Sequence, residues 1–262
     1  MRMINLIFDA DMLCFRAASS CEHEIDWGND LWTLHSDLKE CQQKFMSIYE
    51  EIMTNLRKHK KLESYEVTMC FTDRNNFRKL VLPSYKSNRK ATRKPVAYSG
   101  LVQWVHENFH AESRAYLEAD DLCSLLSKPG DILVSADKDF QTIPERLFYN
   151  YHKDELKYNT REAADYFWYY QCIKGDSTDG YSGIRGYADK KTEKLFKEFG
   201  ASWETVLKAY VDNGYTEDDA LVQARVARIL REGDYSDRVI NLWSPRENLR
   251  KSIDTKANPV VY

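Results

Sequence analysis

The sequence predicts an α/β protein, a central mostly parallel sheet flanked by helices. Three apolar runs, residues 3–8, 67–71 and 132–134, each lead into carboxylates: Asp9 and Asp11, Asp73, then Asp137 and Asp139. A near-continuous apolar run reads as a strand buried on both faces. Between the runs lie longer segments with apolar residues every three or four positions, which read as helices. In open α/β sheets ligands bind beyond the carboxyl ends of the strands. The acids therefore stand where chemistry is expected.

The chain has 262 residues, 43% of them hydrophobic, enough for one large or two small domains. Its net charge of −3 gives no global field that would draw it onto nucleic acid, so the local distribution of charge matters more. None of the six cysteines forms a C-x-x-C pair, and they read as reduced core thiols. There is no apolar signal core and no 18-residue apolar run, so a soluble intracellular protein is expected, with no membrane contact.

In chain order, the first strand is followed by a helix over about 12–18 that carries Arg16. Residues 21–33, with Trp27, Gly28, Asn29 and Trp32, read as a surface excursion. Ser36 or Asp37 then caps a long helix. Its core stripe is Leu38, Cys41, Phe45, Ile48, Ile52 and Leu56, and lysines near 58–61 close it. The second strand ends at Asp73.

Residues 74–94 hold eight cations and no acid: Arg74, Arg78, Lys79, Lys86, Arg89, Lys90, Arg93 and Lys94, with Phe77 and Tyr85 interleaved. A solvated basic loop is the plain alternative. Cations beside an acidic site are expected when the substrate is a phosphodiester, and interleaved aromatics suit base stacking. Residues 96–107 are weakly helical.

Glu118, Asp120 and Asp121 crowd the start of a short helix with Leu122, Leu125 and Leu126 on one face, ended by Pro129-Gly130. The third strand then delivers Asp137 and Asp139, which point the same way in an extended chain. Carboxylates converging on one cleft repel, and a divalent cation is the simplest neutraliser. Three acids at an exposed helix start, followed by an Asp-x-Asp loop, is the other reading.

Residues 146–151 read as a strand and 160–173 as an aromatic core helix. Asp176 and Asp179 follow among glycines 175, 180, 183 and 186, and Lys190, Lys191, Lys194 and Lys197 come after them. Gly-rich turns opening a helix can hold a phosphate, or can form an ordinary joint between helices. Residues 202–213 and 217–231 read as helices, and the last twenty or so as an irregular tail.

In this order the motifs resemble the flap endonuclease and 5′→3′ exonuclease family, particularly its short bacteriophage members. FDADMLCFR is similar to the first motif, with Asp9 and Arg16; FTD to the second-strand acid, Asp73. YKSNR resembles the arch motif, with Tyr85, Lys86 and Arg89, and EADD the central acids Glu118, Asp120 and Asp121. SADKDF resembles the next pair, Asp137 and Asp139. KGDSTDGYSGIRG resembles the opening of the helix–three-turn–helix, with Asp176 and Asp179. The resemblance covers roughly residues 3–200.

It implies a Rossmann-like (PIN-like) nuclease core over 1–173, with a helical arch at about 74–107. A helix–three-turn–helix DNA-binding region with C-terminal helices and tail follows over 174–262. It further implies two Mg²⁺ ions, with Mn²⁺ as substitute, held by the nine acids Asp9, Asp73, Glu118, Asp120, Asp121, Asp137, Asp139, Asp176 and Asp179. Lys86 and Arg89 would neutralise the scissile phosphate, Arg16 would hold a phosphate, and Tyr85 would stack on the terminal base. Lys190, Lys191 and Lys194 would contact duplex backbone. The implied substrate is DNA with a 5′ single-stranded end, flap or nick, with RNA–DNA hybrid also open. A monomer in the cytoplasm (the host's, for a phage protein) is expected, with single-strand-binding or replication proteins as partners.

The sequence departs from the family at Gly180, where an Asn is usual, and at Gln171, where many phage members carry Lys. Ala188 replaces a glycine, and its Cβ stands against a bound potassium ion. Two rivals are open. A haloacid-dehalogenase-type phosphatase would use Asp9 as nucleophile, but leaves EADD, the basic run and the four lysines unexplained. A non-catalytic DNA-binding module of the same fold would lack several acids, and none is missing.

Overall fold

The structure, a computed structural model, describes residues 3–91, 93–246 and 251–255, without the side chains of 90 and 91. Lys90 of the basic run and most of the C-terminal tail thus lie outside the described side chains.

A six-stranded sheet runs in the order β5-β4-β1-β6-β7-β8. Its strands are β1 (Ile4–Asp9), β4 (Tyr65–Phe71), β5 (Ala111–Ser113), β6 (Ile132–Ser135), β7 (Arg146–Asn150) and β8 (Glu155–Asn159). All neighbours pair in parallel except β7 and β8, which form an antiparallel hairpin. The expected α/β architecture is therefore present. The register sets Asp9 opposite Cys70 and Phe8 opposite Val134, so β1, β4 and β6 deliver their following residues to one edge.

Side chains of β1 alternate between two cores, as a doubly covered strand requires. Leu6 and Phe8 pack with Leu13, Phe45 and Leu101 under α1 (Ala10–Ser20), α2 (Leu38–His59) and α4 (Tyr98–Asn108). Ile7 packs on the other side with Leu122, Leu133 and Phe140, under α5 (Ala119–Leu126). Asp37 caps α2 by accepting from the Glu40 amide at 2.9 Å, one of the two caps the sequence offered.

A further core is built by α6 (Arg161–Lys174), α7 (Asp189–Phe199), α8 (Trp203–Asp212) and α9 (Glu217–Ala227) around Trp168, Val206, Tyr210 and Ala224. It contains α6, on the N-terminal side of the boundary expected at 173/174, and it also takes in Tyr85 from the basic stretch. That stretch holds α3 (Arg78–Val81) and a 3₁₀ turn (Ser87–Ala91).

Residues 21–33, expected as a surface excursion, lie in a largely exposed antiparallel hairpin of β2 (His23–Asp26) and β3 (Trp32–His35). The last twenty or so residues, expected as an irregular tail, carry β11 (Ser252–Asp254), which forms a three-stranded antiparallel sheet with β9 (Tyr235–Ser236) and β10 (Val239–Asn241) upstream of them. The last helix stops at Ala227, not 231. Among the described residues no helix is long and apolar enough to cross a membrane.

Candidate active site

The cleft is built at the C-terminal edge of the sheet. Asp9 ends β1, buried, and its carboxylate accepts from the Ser135 hydroxyl of β6 at 3.1 Å. Ser135 Oγ in turn accepts from the Asp137 amide at 3.0 Å, so one hydroxyl fixes both acids. Asp137 accepts from the Asp139 amide at 2.9 Å and so opens the 3₁₀ turn Lys138–Thr142. Asp139 also accepts from the Gln171 amide of α6 at 2.7 Å.

Glu118, Asp120 and Asp121 occupy the N-terminus of α5, and their ligand atoms lie within 4.8 Å of one another. The chain reaches this start through Tyr116, whose φ of +67° is left-handed, a conformation that costs a side-chain-bearing residue energy. Asp73 supports it: one carboxylate oxygen accepts from the Tyr116 amide at 3.0 Å and from the Asn75 amide at 3.1 Å. Asp73, expected as a metal ligand, thus also holds the turn that presents Glu118 through one of its two carboxylate oxygens. Asp11 is the second acid next to Asp9, and it too is engaged, by the Tyr98 hydroxyl at 2.8 Å and the Thr72 amide at 2.9 Å.

Four of the nine expected acids, Asp9, Asp120, Asp137 and Asp139, are raised by burial and by the charge of other carboxylates. Burial, then the charges of Asp11 and Asp137, push Asp9 up to about 7. Burial, then Asp137, push Asp139 up to about 7, with Asp179 and Asp176 adding. Burial and then Asp121 hold Asp120 well above the ordinary carboxylate value. The Cys123 thiol lies within the field of both Asp9 and Asp120, which joins the two halves of the cleft. Glu118 behaves oppositely. Burial raises it, but Lys86 and then Arg78 outweigh that and hold it at about 2.

The cations come from the basic stretch and from between the paired acids. Lys86 is ion-paired with Glu118 and lies 3.6 Å from Asp179. Arg89 reaches Asp179 at 2.6 Å. Lys138, which the sequence reading passed over, bonds Asp176 at 2.8 Å and lies 3.8 Å from Asp139. The stretch is locked to the Asp176–Asp179 loop by the Lys86 amide, which donates to the Asp179 carbonyl at 2.8 Å. Gly180 explains itself here. A Cβ on it would sit 3.3 Å from the Lys86 nitrogen and the Ser84 carbonyl, at a φ of +76°.

Two expectations change. Tyr85 is only 2% exposed, its ring in the helical core and its hydroxyl 3.0 Å from Glu118 and 2.9 Å from Asp179. Its ring is thus packed in protein, and its one proton serves two carboxylates in turn. Asp121 is fully buried and paired with Arg78. Arg16 is exposed on α1, and its charge acts on the Tyr151 hydroxyl, which also feels Asp9 and Asp137. Lys190, Lys191 and Lys194 are exposed along α7, with Lys191 3.7 Å over the Tyr187 ring.

The donor set fits a hard divalent cation. It is all oxygen, and Asp9, Asp120 and Asp139 are held above their ordinary values first by burial and then by neighbouring carboxylates. Beside them the Gln171 carbonyl oxygen is buried with no partner among the described residues. A testable consequence follows for the metal-free protein. Asp9 and Asp139 hold protons up to about pH 7 when folded but only to about pH 4 when unfolded. Stability therefore falls as pH rises from about 4 to 7. Thermal melts in EDTA are expected to show a lower Tm at pH 8 than at pH 5, and Mg²⁺ is expected to raise Tm more at pH 8. Equal Mg²⁺ effects at both pH values would mean that these acids do not meet the ion.

A parallel sheet whose C-terminal edge carries a buried carboxylate cleft, faced by cations, defines a class: nucleases that hydrolyse phosphodiesters. The comparisons agree. No family model matches the chain. It is 32% identical to the exodeoxyribonuclease of Enterobacteria phage T3 and 31% to the exonuclease of Escherichia phage T7, in each case across 92% of this chain and 93% of the relative. The T5 D15 flap endonuclease, in complex with DNA and metal ions, matches with a TM-score of 0.59 at 17% identity, covering 85% of this chain and 87% of that one. The T5 5′-exonuclease with bound zinc gives 0.57 at 16%, covering 86% and 93%. The chain belongs to the 5′ nuclease family that includes these phage exonucleases, and it is a hydrolase.

Proposed function

We propose that the protein is a Mg²⁺-dependent 5′→3′ exonuclease and 5′-flap endonuclease acting on DNA. The observation that carries this is a single cleft in which Asp9, Glu118, Asp120, Asp137 and Asp139 meet, with Lys86 and Arg89 already seated against its carboxylates. The T3 and T7 relatives are named as exonucleases, and the T5 neighbour holds DNA and metal ions, in keeping with this reading.

Asp9, Asp120, Asp137 and Asp139 would hold two ions, with Glu118 joining them once Lys86 turns to the substrate. Bound there, the ions supply Lewis acidity for the attacking water and the leaving 3′-oxygen. Lys86 and Arg89 leave Glu118 and Asp179 for the scissile phosphate and stabilise charge as it develops there. Asp179 holds the basic stretch through Arg89 and the Lys86 amide, Asp176 holds Lys138 of the 3₁₀ turn, and the exposed lysines of α7 bind duplex phosphates without reading sequence. Arg16, beside Tyr151, faces the strand at the Asp9 side.

The test is labelled 5′-flap DNA with Mg²⁺ or with EDTA. Short 5′ products are expected only with Mg²⁺. Release of inorganic phosphate alone would indicate a phosphatase, and a mobility shift without cleavage a binding module.

A further inference from the structure

We propose that Arg78 is a positioning residue of the metal site, that it turns Asp121 into an anchor rather than a ligand, and that residues 226–230 form the rear wall of that site. The proposal rests on the nuclease reading above.

The arithmetic of donors and acceptors carries it. A carboxylate offers about four lone-pair sites. On Asp121, one oxygen accepts from Arg78 Nη2 at 2.8 Å and the Leu230 amide at 3.0 Å. The other accepts from Arg78 Nη1 at 2.6 Å and the Glu118 amide at 3.2 Å. All four are taken, so nothing is left for an ion. A guanidinium has five N–H donors. Those of Arg78 reach both Asp121 oxygens, Glu118 at 3.1 Å, the Val226 carbonyl at 3.0 Å and the Arg228 carbonyl at 2.7 Å. Five donors meet five acceptors in a side chain that is 2% exposed.

The same contacts explain why α9 stops at Ala227. Val226 and Arg228 present carbonyls at the helix end, where no intrahelical amide serves them, and a buried cation there also suits the dipole. Arg78 thus joins the C-terminal segment, through Asp121, to Glu118 and Asp120. Its fork is spent on Asp121, while Asp120, next in the chain, forms no ion pair among the described residues. That leaves Asp120 as the open ligand of the pair. Lysine could not replace this arrangement, since it has three donors on a point charge and no planar fork.

The test is a double-mutant cycle read by Mn²⁺ binding to the protein alone, with electron paramagnetic resonance as the probe. Arg78→Lys is expected to weaken Mn²⁺ binding about 10- to 100-fold although Arg78 touches no ion. Asp121→Asn should do the same, and the double variant should be no worse than the poorer single, because both break one unit. Wild-type affinity in Arg78→Lys, or losses that multiply in the double, would overturn the proposal. Where a variant does not fold, the wild-type guanidinium resonances of Arg78 decide. They should stay protected and unshifted on Mg²⁺ saturation. Their collapse would show Asp121 passing to the ion. A wild-type protein that neither binds Mn²⁺ nor cuts a 5′ flap would instead refute the nuclease reading, so the two failures are distinct.

Discussion

Asp9→Asn is expected to lower cleavage of 5′-flap DNA at least about 10³-fold and, in the same protein without metal, to raise the melting temperature. The two effects have one cause. Asp9 is buried at the head of β1, and burial together with Asp11 and Asp137 lifts its carboxyl from 3.8 to about 7. Above pH 7 that corresponds to about 4 kcal/mol of stability forgone in the absence of an ion. Asparagine is nearly isosteric, keeps an acceptor for the Ser135 hydroxyl and removes the charge. The fold gains and the metal site loses a ligand, the trade expected where function needs repulsion. Metal Lewis acidity is worth several kcal/mol, and each 1.36 kcal/mol is tenfold in rate, which sets the size of the loss. Single-turnover rates with Mg²⁺ and thermal melts in EDTA at pH 8 measure both. A variant that melts lower than wild type would assign Asp9 a structural role at the head of α1.

The sheet was legible because β1, β4 and β6 are buried on both faces, and such strands show as unbroken apolar runs. Their ends located Asp9, Asp137 and Asp139 in the cleft. The strands that escaped notice are short and solvated: every residue of β3 is exposed, and β9 has two residues. Neither leaves a period-2 pattern to detect. Within the cleft, acids could be found in line but their partners could not. Asp121 looks like Asp120 until Arg78, 43 positions earlier, is seen to claim it. Arg78 itself lay inside a run of eight cations and looked no different from those that reach solvent. Asp73 sits at a strand end like Asp9, yet the turn at Tyr116 draws its carboxylate onto backbone amides. Lys138 had a signal that could have been used, since a cation between two acids two residues apart has few places to go. Tyr85 was assigned by motif to stacking, but its ring was needed for the core that joins the basic stretch to α6 and α9.

Lys86→Ala carries the second large effect, and its two readouts move in opposite directions. Lys86 is held with a left-handed φ of +53°, its amide on the Asp179 carbonyl and its ammonium on Glu118. A strained backbone at a cleft is retained where the conformation aims a side chain. In the free protein that ammonium occupies Glu118 and so competes with a divalent ion for it. In the proposed complex the ammonium would turn from Glu118 to the scissile phosphate. Removing it should cut kcat about 10²- to 10³-fold, the size found for one preorganised group at developing charge. Duplex binding should stay close to wild type, because the α7 lysines are untouched. Mn²⁺ binding by the free protein should tighten, because Glu118 loses the cation that helps hold it at about 2. A variant that cuts as fast as wild type would remove Lys86 from the chemistry. One that cuts slowly but binds Mn²⁺ more weakly would show that Lys86 shapes the site rather than competing for it.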